Sequence, residues 1–249
     1  MLAELSVVII TRNAAGTLAR TLNALDPIGE VVIYDNGSTD ETLEIARRYH
    51  NVSLHTGAFL GFGPTKRHAV SLARQDWILS LDADEAPTAR WLESLGGWLT
   101  HADTREVVEV RRENWLLGKP VQHSGWGRDW LIRVFNRQHH DFNDAMVHES
   151  IAVTDTTQVV RLDGHIEHLA VTELGQFLEK VNRYSGIRAS SDTLRVYPVW
   201  IIMVKSAFAF FRTFFLQRGF LDGWRGLVIA VSNANGVFWK YMKRRVRDQ

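Results

Sequence analysis

Short apolar runs alternate with amphipathic stretches through the first hundred residues. Residues 5–10 (Leu-Ser-Val-Val-Ile-Ile) are rich in β-branched side chains and read as a strand, with a helical pattern to about residue 25. Residues 30–34 form a second run, closed by the turn formers Asp35-Asn36-Gly37-Ser38-Thr39-Asp40. Thr39 or Asp40 is the expected N-cap of a helix reaching about residue 50. Residues 52–55 predict a third strand, 57–64 a glycine-rich loop, 65–75 a helix and 77–81 a fourth strand. Alternation with short connections predicts an α/β fold, with a mainly parallel sheet carrying helices on both faces. From Val107 the pattern turns β-rich, with many aromatic and basic residues. A helix is expected from 173 to about 190. The very apolar stretch 200–216, interrupted by Lys205 and Arg212, is followed by a Gly219–Gly223 break and a helix from 224 to about 245.

In parallel sheets of this kind ligands bind beyond the carboxyl ends of the strands. Thr11, Asp35 and Asp82 all stand at such ends. Asp82 opens Asp82-Ala83-Asp84-Glu85 directly behind an apolar strand, and in extended backbone Asp82 and Asp84 would share a face. Two carboxylates that close repel unless cations or hydrogen-bond donors compensate them. Their oxygens suit Mg²⁺ or Mn²⁺, ions held by one or two carboxylates together with substrate phosphates. A solvated acidic turn is the plainer alternative, and the preceding strand weighs against it.

Charge and motifs then narrow the classes. The 249 residues carry 29 Lys plus Arg against 28 Asp plus Glu, so no global field points to nucleic acid. Basic residues instead crowd the last ten positions. With no cysteine, disulfide and thiolate chemistry are excluded. The first turn, Thr11-Arg12-Asn13-Ala14-Ala15-Gly16, lacks the G-x-G-x-x-G of dinucleotide-binding enzymes, and no P-loop is present. The opening residues read as a first strand rather than a secretion signal, which suggests a cytoplasmic chain.

Val7-Val8-Ile9-Ile10-Thr11, the 34–42 segment beginning Tyr34-Asp35-Asn36-Gly37, Lys66-Arg67-His68-Ala69 and Leu81-Asp82-Ala83-Asp84-Glu85 together resemble family-two inverting glycosyltransferases with the GT-A fold. The resemblance covers roughly the first hundred residues. It departs at Asn36, where many members carry a second Asp. It implies a nucleoside diphosphate sugar donor, with Thr11 and Asp35 around the nucleobase and ribose. Lys66 and Arg67 would serve the diphosphate or base, Asp82 the ribose or metal, and Asp84 an Mg²⁺ or Mn²⁺ ion. Loop shaping is the alternative for Asp35, and a solvated helix face is the alternative for Lys66 and Arg67. Asp40 is left in the loop-shaping role.

An inverting transfer needs a general base for the acceptor hydroxyl, and Asp141, Asp144 and Glu149 are candidates. Glu149 is favoured because Val147-His148-Glu149 resembles the V-H-E element of the bacterial lipopolysaccharide-core branch. There His148 would join the metal shell or bind the diphosphate. Arg133 alternates with Leu131 and Phe135, either as an inward strand residue or as a phosphate-binding arginine. Gly219-Phe220-Leu221-Asp222-Gly223 and Lys240-Tyr241 also resemble that branch. It implies UDP-glucose as donor and an inner-core heptose as acceptor; another cell-envelope glycolipid or saccharide is the alternative. A sugar nucleotidyltransferase would need a G-x-G-T-R-type loop that is missing, and a non-catalytic binding module would bind donor without turnover. The expected organisation is a nucleotide-sugar half over 1–105, an acceptor half over 106–190, and a helical segment over 191–249. Within that last segment the 200–216 stretch is short for a spanning helix, and the segment is expected to lie on the cytoplasmic face of the inner membrane.

Overall fold

The computed structural model describes residues 2–127, 129–145, 149–191 and 194–248. The chain divides into two compact units, Met1–Arg112 with Trp130–His168, and Glu113–Asp129 with Leu169–Gln249.

The first unit opens with β1 (Leu2–Thr11), α1 (Ala15–Ala24), β2 (Ile28–Asp35), α2 (Thr42–Ala46), β3 (Val52–Thr56), α3 (Phe62–Ser71) and β4 (Trp77–Asp82). It continues through β5 (Glu85–Pro87), α4 (Ala89–Leu99), β6 (Glu106–Leu116), β7 (Lys119–Pro120), β8 (Asp129–Asn136), β9 (Gln158–Arg161) and β10 (Ile166–Val171), of which β7, the ends of β6 and β10 and the first residue of β8 belong to the second unit. The strands run in the order β3-β2-β1-β4-β8-β6-β10-β5, with β7 and β9 pairing to β6. The pairs among β1 to β4 are parallel, whereas β8 runs antiparallel to β4 and β5 antiparallel to β10. The sheet is therefore mixed, with a parallel half built by strand–helix alternation and, beyond it, a half in which antiparallel pairs stand beside the parallel pair of β6 and β9.

Successive residues of β1 face opposite sides, and the core divides accordingly. Leu5, Val7 and Ile9 pack with Leu18 and Leu22 of α1 and with Trp91 and Leu95 of α4. Val8 on the other face joins Val32, Ile78, Val70 of α3, Phe135 and Phe142. Strands buried on both faces are continuous apolar runs, which is why the sequence displayed them so plainly. Buried Glu30 accepts the Ser6 hydroxyl and, at 2.7 Å, the Arg74 backbone N–H. That carboxylate ties the chain entering β4 to the start of β1 and β2.

Two expected boundaries move. Gly61 at φ 103° turns the chain so that α3 begins at Phe62, inside the stretch expected to be loop. Pro64 is tolerated there because the first turn of a helix has no internal use for its N–H. Further back, α2 stops at Ala46 rather than near residue 50, because the Asn51 amide donates to the Leu25 and Ile28 carbonyls at 3.1 and 2.9 Å and draws the chain into turns.

The second unit holds α5 (Leu174–Ala189), α6 (Val199–Phe211) and α7 (Trp224–Arg247), with a π-helical turn, Arg212–Leu216, and a 3₁₀ turn, Gly219–Asp222, between α6 and α7. Leu116, Val121, Val171 and Ile229 form its buried core. The Ser206 hydroxyl bonds the Ala234 carbonyl at 2.8 Å, and Lys243 reaches the Asn182 carbonyl and the Ser185 hydroxyl at the same distance. Val199–Leu216 is long and apolar enough to cross a membrane by length and composition, and only 17% of it is buried.

Candidate functional site

Strand register brings the sequence candidates to one edge of the first unit. Thr11 pairs with Asp35 between β1 and β2, and Ile10 pairs with Asp82 between β1 and β4. Three carboxyl-terminal strand ends therefore coincide. The edge is laced by backbone bonds, with the Asn36 N–H donating to the Thr11 carbonyl at 2.9 Å and the Gly57 N–H to the Asp35 carbonyl at 3.0 Å. The Thr11 hydroxyl is buried and has no hydrogen-bond partner among the described residues, which is rare for a buried polar group.

Asp35 shapes its loop. One oxygen accepts the Gly37 and Ser38 N–H groups at 2.9 Å each, and the other accepts the Ser38 hydroxyl. An ionised carboxylate offers about four lone-pair sites, so one acceptor position remains. Asp40 accepts the Thr42 N–H and the Ala15 N–H, both at 3.1 Å, which fixes the starts of α1 and α2. The Thr42 hydroxyl and these amides hold the Asp40 carboxyl below its usual range.

Around Asp82 the arrangement differs from a bare carboxylate pair. Lys66, only 2% exposed, places its ammonium 3.0 Å from Asp82 Oδ1 and 2.7 Å from Glu149 Oε1. Arg133 donates to Asp82 Oδ2 at 3.0 Å and also to Glu85, which is fully buried and pairs with Arg112 at 3.1 Å. Glu85 returns its other oxygen to the Asp82 backbone N–H at 3.1 Å. Glu149, Lys66, Asp82, Arg133, Glu85 and Arg112 thus form one chain of alternating charge. Desolvation works against ionising Asp82, yet the charges of Lys66 and Arg133 prevail and hold its carboxyl well below the usual range. Burial likewise opposes the charge on Arg133, and Glu85 and Asp82 more than restore it.

Because β4 ends at Asp82, strand alternation does not carry on to Asp84. Asp84 lies in the turn before β5, with Oδ2 3.4 Å from His168 Nε2 on β10. Each of the two acids has its own basic neighbour. Arg67 meets Asp141 at 3.0 Å and Asp144 at 2.8 Å, so two of the three base candidates face Arg67 whereas Glu149 faces Lys66. His148 lies outside the described residues. The backbone after Glu149 is pinned: the Asn143 N–H donates to the Ser150 carbonyl at 3.0 Å, and the Ala152 N–H to the Asp141 carbonyl at 2.9 Å. Gly63 in the first turn of α3 packs so tightly there that a Cβ would lie 2.1 Å from the Asn143 carbonyl oxygen.

Sequence reasoning left Glu85, Arg112 and His168 without a role. Glu85 had one visible signal, an acid directly following Asp84 in a mainly apolar setting. Arg112 and His168 had none, since what they touch is set by antiparallel strands far away in the chain.

The charge chain predicts an acid response. The Asp82 pKa is lowered in the folded state, so its stabilisation is present above the ordinary aspartate value of 3.8 and is lost as pH falls from there through the folded value. Lys66→Met should destabilise the protein at pH 7. With Asp82 37% exposed, the loss should lie toward the lower end of the roughly 3–5 kcal/mol typical of breaking a buried pair. Urea unfolding at stepped pH should show the gap between wild type and variant narrowing as pH drops below about 4. A gap that stays constant down to acid unfolding would contradict the assignment.

Comparison with known proteins agrees with this architecture. The model of glycosyl transferase family 2 matches residues 6–149, more than half of the chain. An uncharacterized glycosyltransferase of Rickettsia prowazekii is 25% identical over 262 residues, spanning 97% of this chain and 87% of that protein. The lipopolysaccharide core biosynthesis glycosyltransferase LpsC of Rhizobium meliloti is 24% identical over 254 residues, with 95% and 93% covered. The crystal structure of S. aureus TarS 1–349 in complex with UDP superposes with a TM-score of 0.50 at 15% identity, covering 99% of this chain and 91% of that one. With a strand-edge site, a mixed sheet of GT-A type and a family match that runs from β1 to Glu149, the chain belongs to glycosyl transferase family 2 and is a glycosyltransferase.

Proposed function

We propose that the protein transfers glucose from UDP-glucose, with inversion, to a saccharide or glycolipid acceptor, an inner-core heptose of lipopolysaccharide. The observation that carries this reading is the meeting of Thr11, Asp35 and Asp82 at one sheet edge, with Lys66 joining that edge to Glu149. The acceptor rests on the similarity to LpsC. In this reading the Thr11 hydroxyl and the remaining Asp35 acceptor site serve the nucleobase and ribose. Asp82 serves the ribose. Lys66 and Arg67 supply positive charge toward the diphosphate.

Asp84 fits an Mg²⁺ or Mn²⁺ ion by its chemistry, being a partly exposed hard-oxygen donor with an imidazole beside it. His148 is the second proposed ligand. When bound, the ion would neutralise charge on the departing nucleoside diphosphate. Glu149 takes the acceptor hydroxyl proton. Its tie to Lys66 keeps it on the donor side, whereas Asp141 and Asp144 are engaged by Arg67. Asp84→Ala should abolish metal-dependent donor binding. Glu149→Gln should leave donor binding intact and lower transfer by about 10²–10⁴. Calorimetry with UDP-glucose and a transfer assay on heptose-bearing core lipid separate the two effects. Near-normal turnover by Glu149→Gln, with loss in Asp141→Asn or Asp144→Asn, would move the base.

The 191–249 segment supports a place on the cytoplasmic face of the inner membrane. Trp200, Val204, Phe208, Phe211 and Phe215 recur every three or four residues and are exposed, as are Trp224, Leu227 and Val231 on α7. The basic tail contributes less freely than its composition suggested. Lys243, Arg245 and Arg247 donate to carbonyls of Asn182, Tyr197 and Ser190 at 2.8, 3.4 and 2.9 Å, which ties them to the protein while leaving their charge. Co-sedimentation with liposomes should therefore be dominated by the apolar term and survive high salt. Replacing Phe208, Phe215 and Trp224 together by Gln should release the protein. Equal sedimentation of the two proteins would point to a packed cap or a dimer contact instead.

A further inference from the structure

A cavity of about 570 Å³ lies within the second unit, lined by Gln122, His123, Gly125, Leu216, Gln217 and Arg218 among others. That volume lies in the range of small-molecule sites. Its walls are two loops joined by a bond from the Ser124 N–H to the Gln217 carbonyl at 3.0 Å. Both loops hold costly backbone. Ser124 and Arg218 adopt left-handed conformations at φ 59° and 56°, and Arg218 directly follows the π-helical turn and Gln217. Non-glycine residues held in this region cost energy that a surrounding structure must sustain, and they cluster at binding sites.

Asp222 supplies that support. Its carboxylate accepts the Gln122 N–H at 3.2 Å, the His123 N–H at 3.1 Å, the His123 ring Nδ1 at 3.1 Å and the Ser124 hydroxyl at 3.2 Å. The nearby negative charge is thus consumed by four donors of the wall itself. What the lining offers a ligand is the guanidinium of exposed Arg218 and two carboxamides. This is a donor set for an anionic, oxygen-rich group. The polar lining interrupts an apolar surface. Exposed Phe215 and Leu216 precede Gln217 and Arg218 in the chain, and exposed Phe220 and Leu221 follow them.

We propose that this cavity is a headgroup site for an anionic phospholipid, with Arg218 engaging the phosphate and the flanking Phe and Leu side chains meeting the lipid's apolar portion. The assignment rests on the membrane-surface reading of the 191–249 segment and adds a specific ligand to it. It also gives a purpose to the π-helical turn that immediately precedes Gln217 and Arg218.

The test uses the full chain and soluble short-chain lipids below their micelle concentration, so that it does not depend on bilayer binding. Dihexanoyl phosphatidylglycerol should bind saturably. Dihexanoyl phosphatidylcholine and inorganic phosphate should bind at least about tenfold more weakly. Arg218→Asn suits the left-handed backbone and removes the charge; it should cost about tenfold or more in phosphatidylglycerol affinity, as expected for a charged hydrogen bond. UDP binding should be unchanged, and a control, Arg247→Gln, should bind the lipid normally. Several results would overturn the proposal: no saturable lipid binding, equal affinity in Arg218→Asn, or inorganic phosphate as tight as the lipid, which would make the cavity a free-anion site. Vesicle sedimentation of the wild type, measured separately, reports on the membrane reading alone.

Discussion

Lys66 is an ammonium buried to 2% exposure, and a charge so placed is tolerable only if carboxylates surround it. Asp82 and Glu149 do so at 3.0 and 2.7 Å. Those two acids come from distant parts of the chain, Asp82 at the end of β4 and Glu149 far beyond it in sequence, so one buried cation fixes the spacing of both. The constraint then propagates. Asp82 needs Arg133, Arg133 needs Glu85, and Glu85 holds Arg112 and the Asp82 backbone. Removing a member unbalances the buried charges beside it, which makes the network a determinant of geometry more than a source of net stability.

The sheet supplies what the charges need. Parallel register between β1, β2 and β4 sets Thr11, Asp35 and Asp82 side by side without help from their own side chains. The antiparallel insertion of β8 beside β4 then delivers Arg133 to the same edge. The candidates for donor binding thus stand on strand ends, and the backbone just after Glu149 is bonded at Ser150 to Asn143, which packs against Gly63 of α3.

Much of the parallel half was legible because strands buried on both faces are apolar without interruption. β1, β2 and β4 are such runs, and the turn formers after Tyr34 marked the loop at Asp35. Boundaries slipped where a single side chain or dihedral decided them, as with Gly61 at the start of α3 and the Asn51 amide after α2. The site was legible in its strand-end members and in Lys66, but its electrostatics were not. Lys66 showed no sign in the sequence of being buried, since a lysine on an amphipathic helix looks the same whether it points to water or to carboxylates. Glu85, Arg112 and His168 acquire meaning only through strand pairing across many tens of residues. The helical segment after residue 199 announced itself by composition, yet the strained loops and the cavity beside the π-helical turn left no local pattern to read.

The account turns on the strand-end edge, tied to Glu149 through Lys66, being where the donor is held. A crystal structure of the protein with UDP and Mn²⁺ tests this most directly. The account predicts uracil and ribose against Thr11, Asp35 and Asp82, the diphosphate toward Lys66, the ion on Asp84, and Glu149 facing the open side of the diphosphate. A nucleotide bound elsewhere, or an ion held without Asp84 while Lys66 and Glu149 point away from the nucleotide, would contradict it.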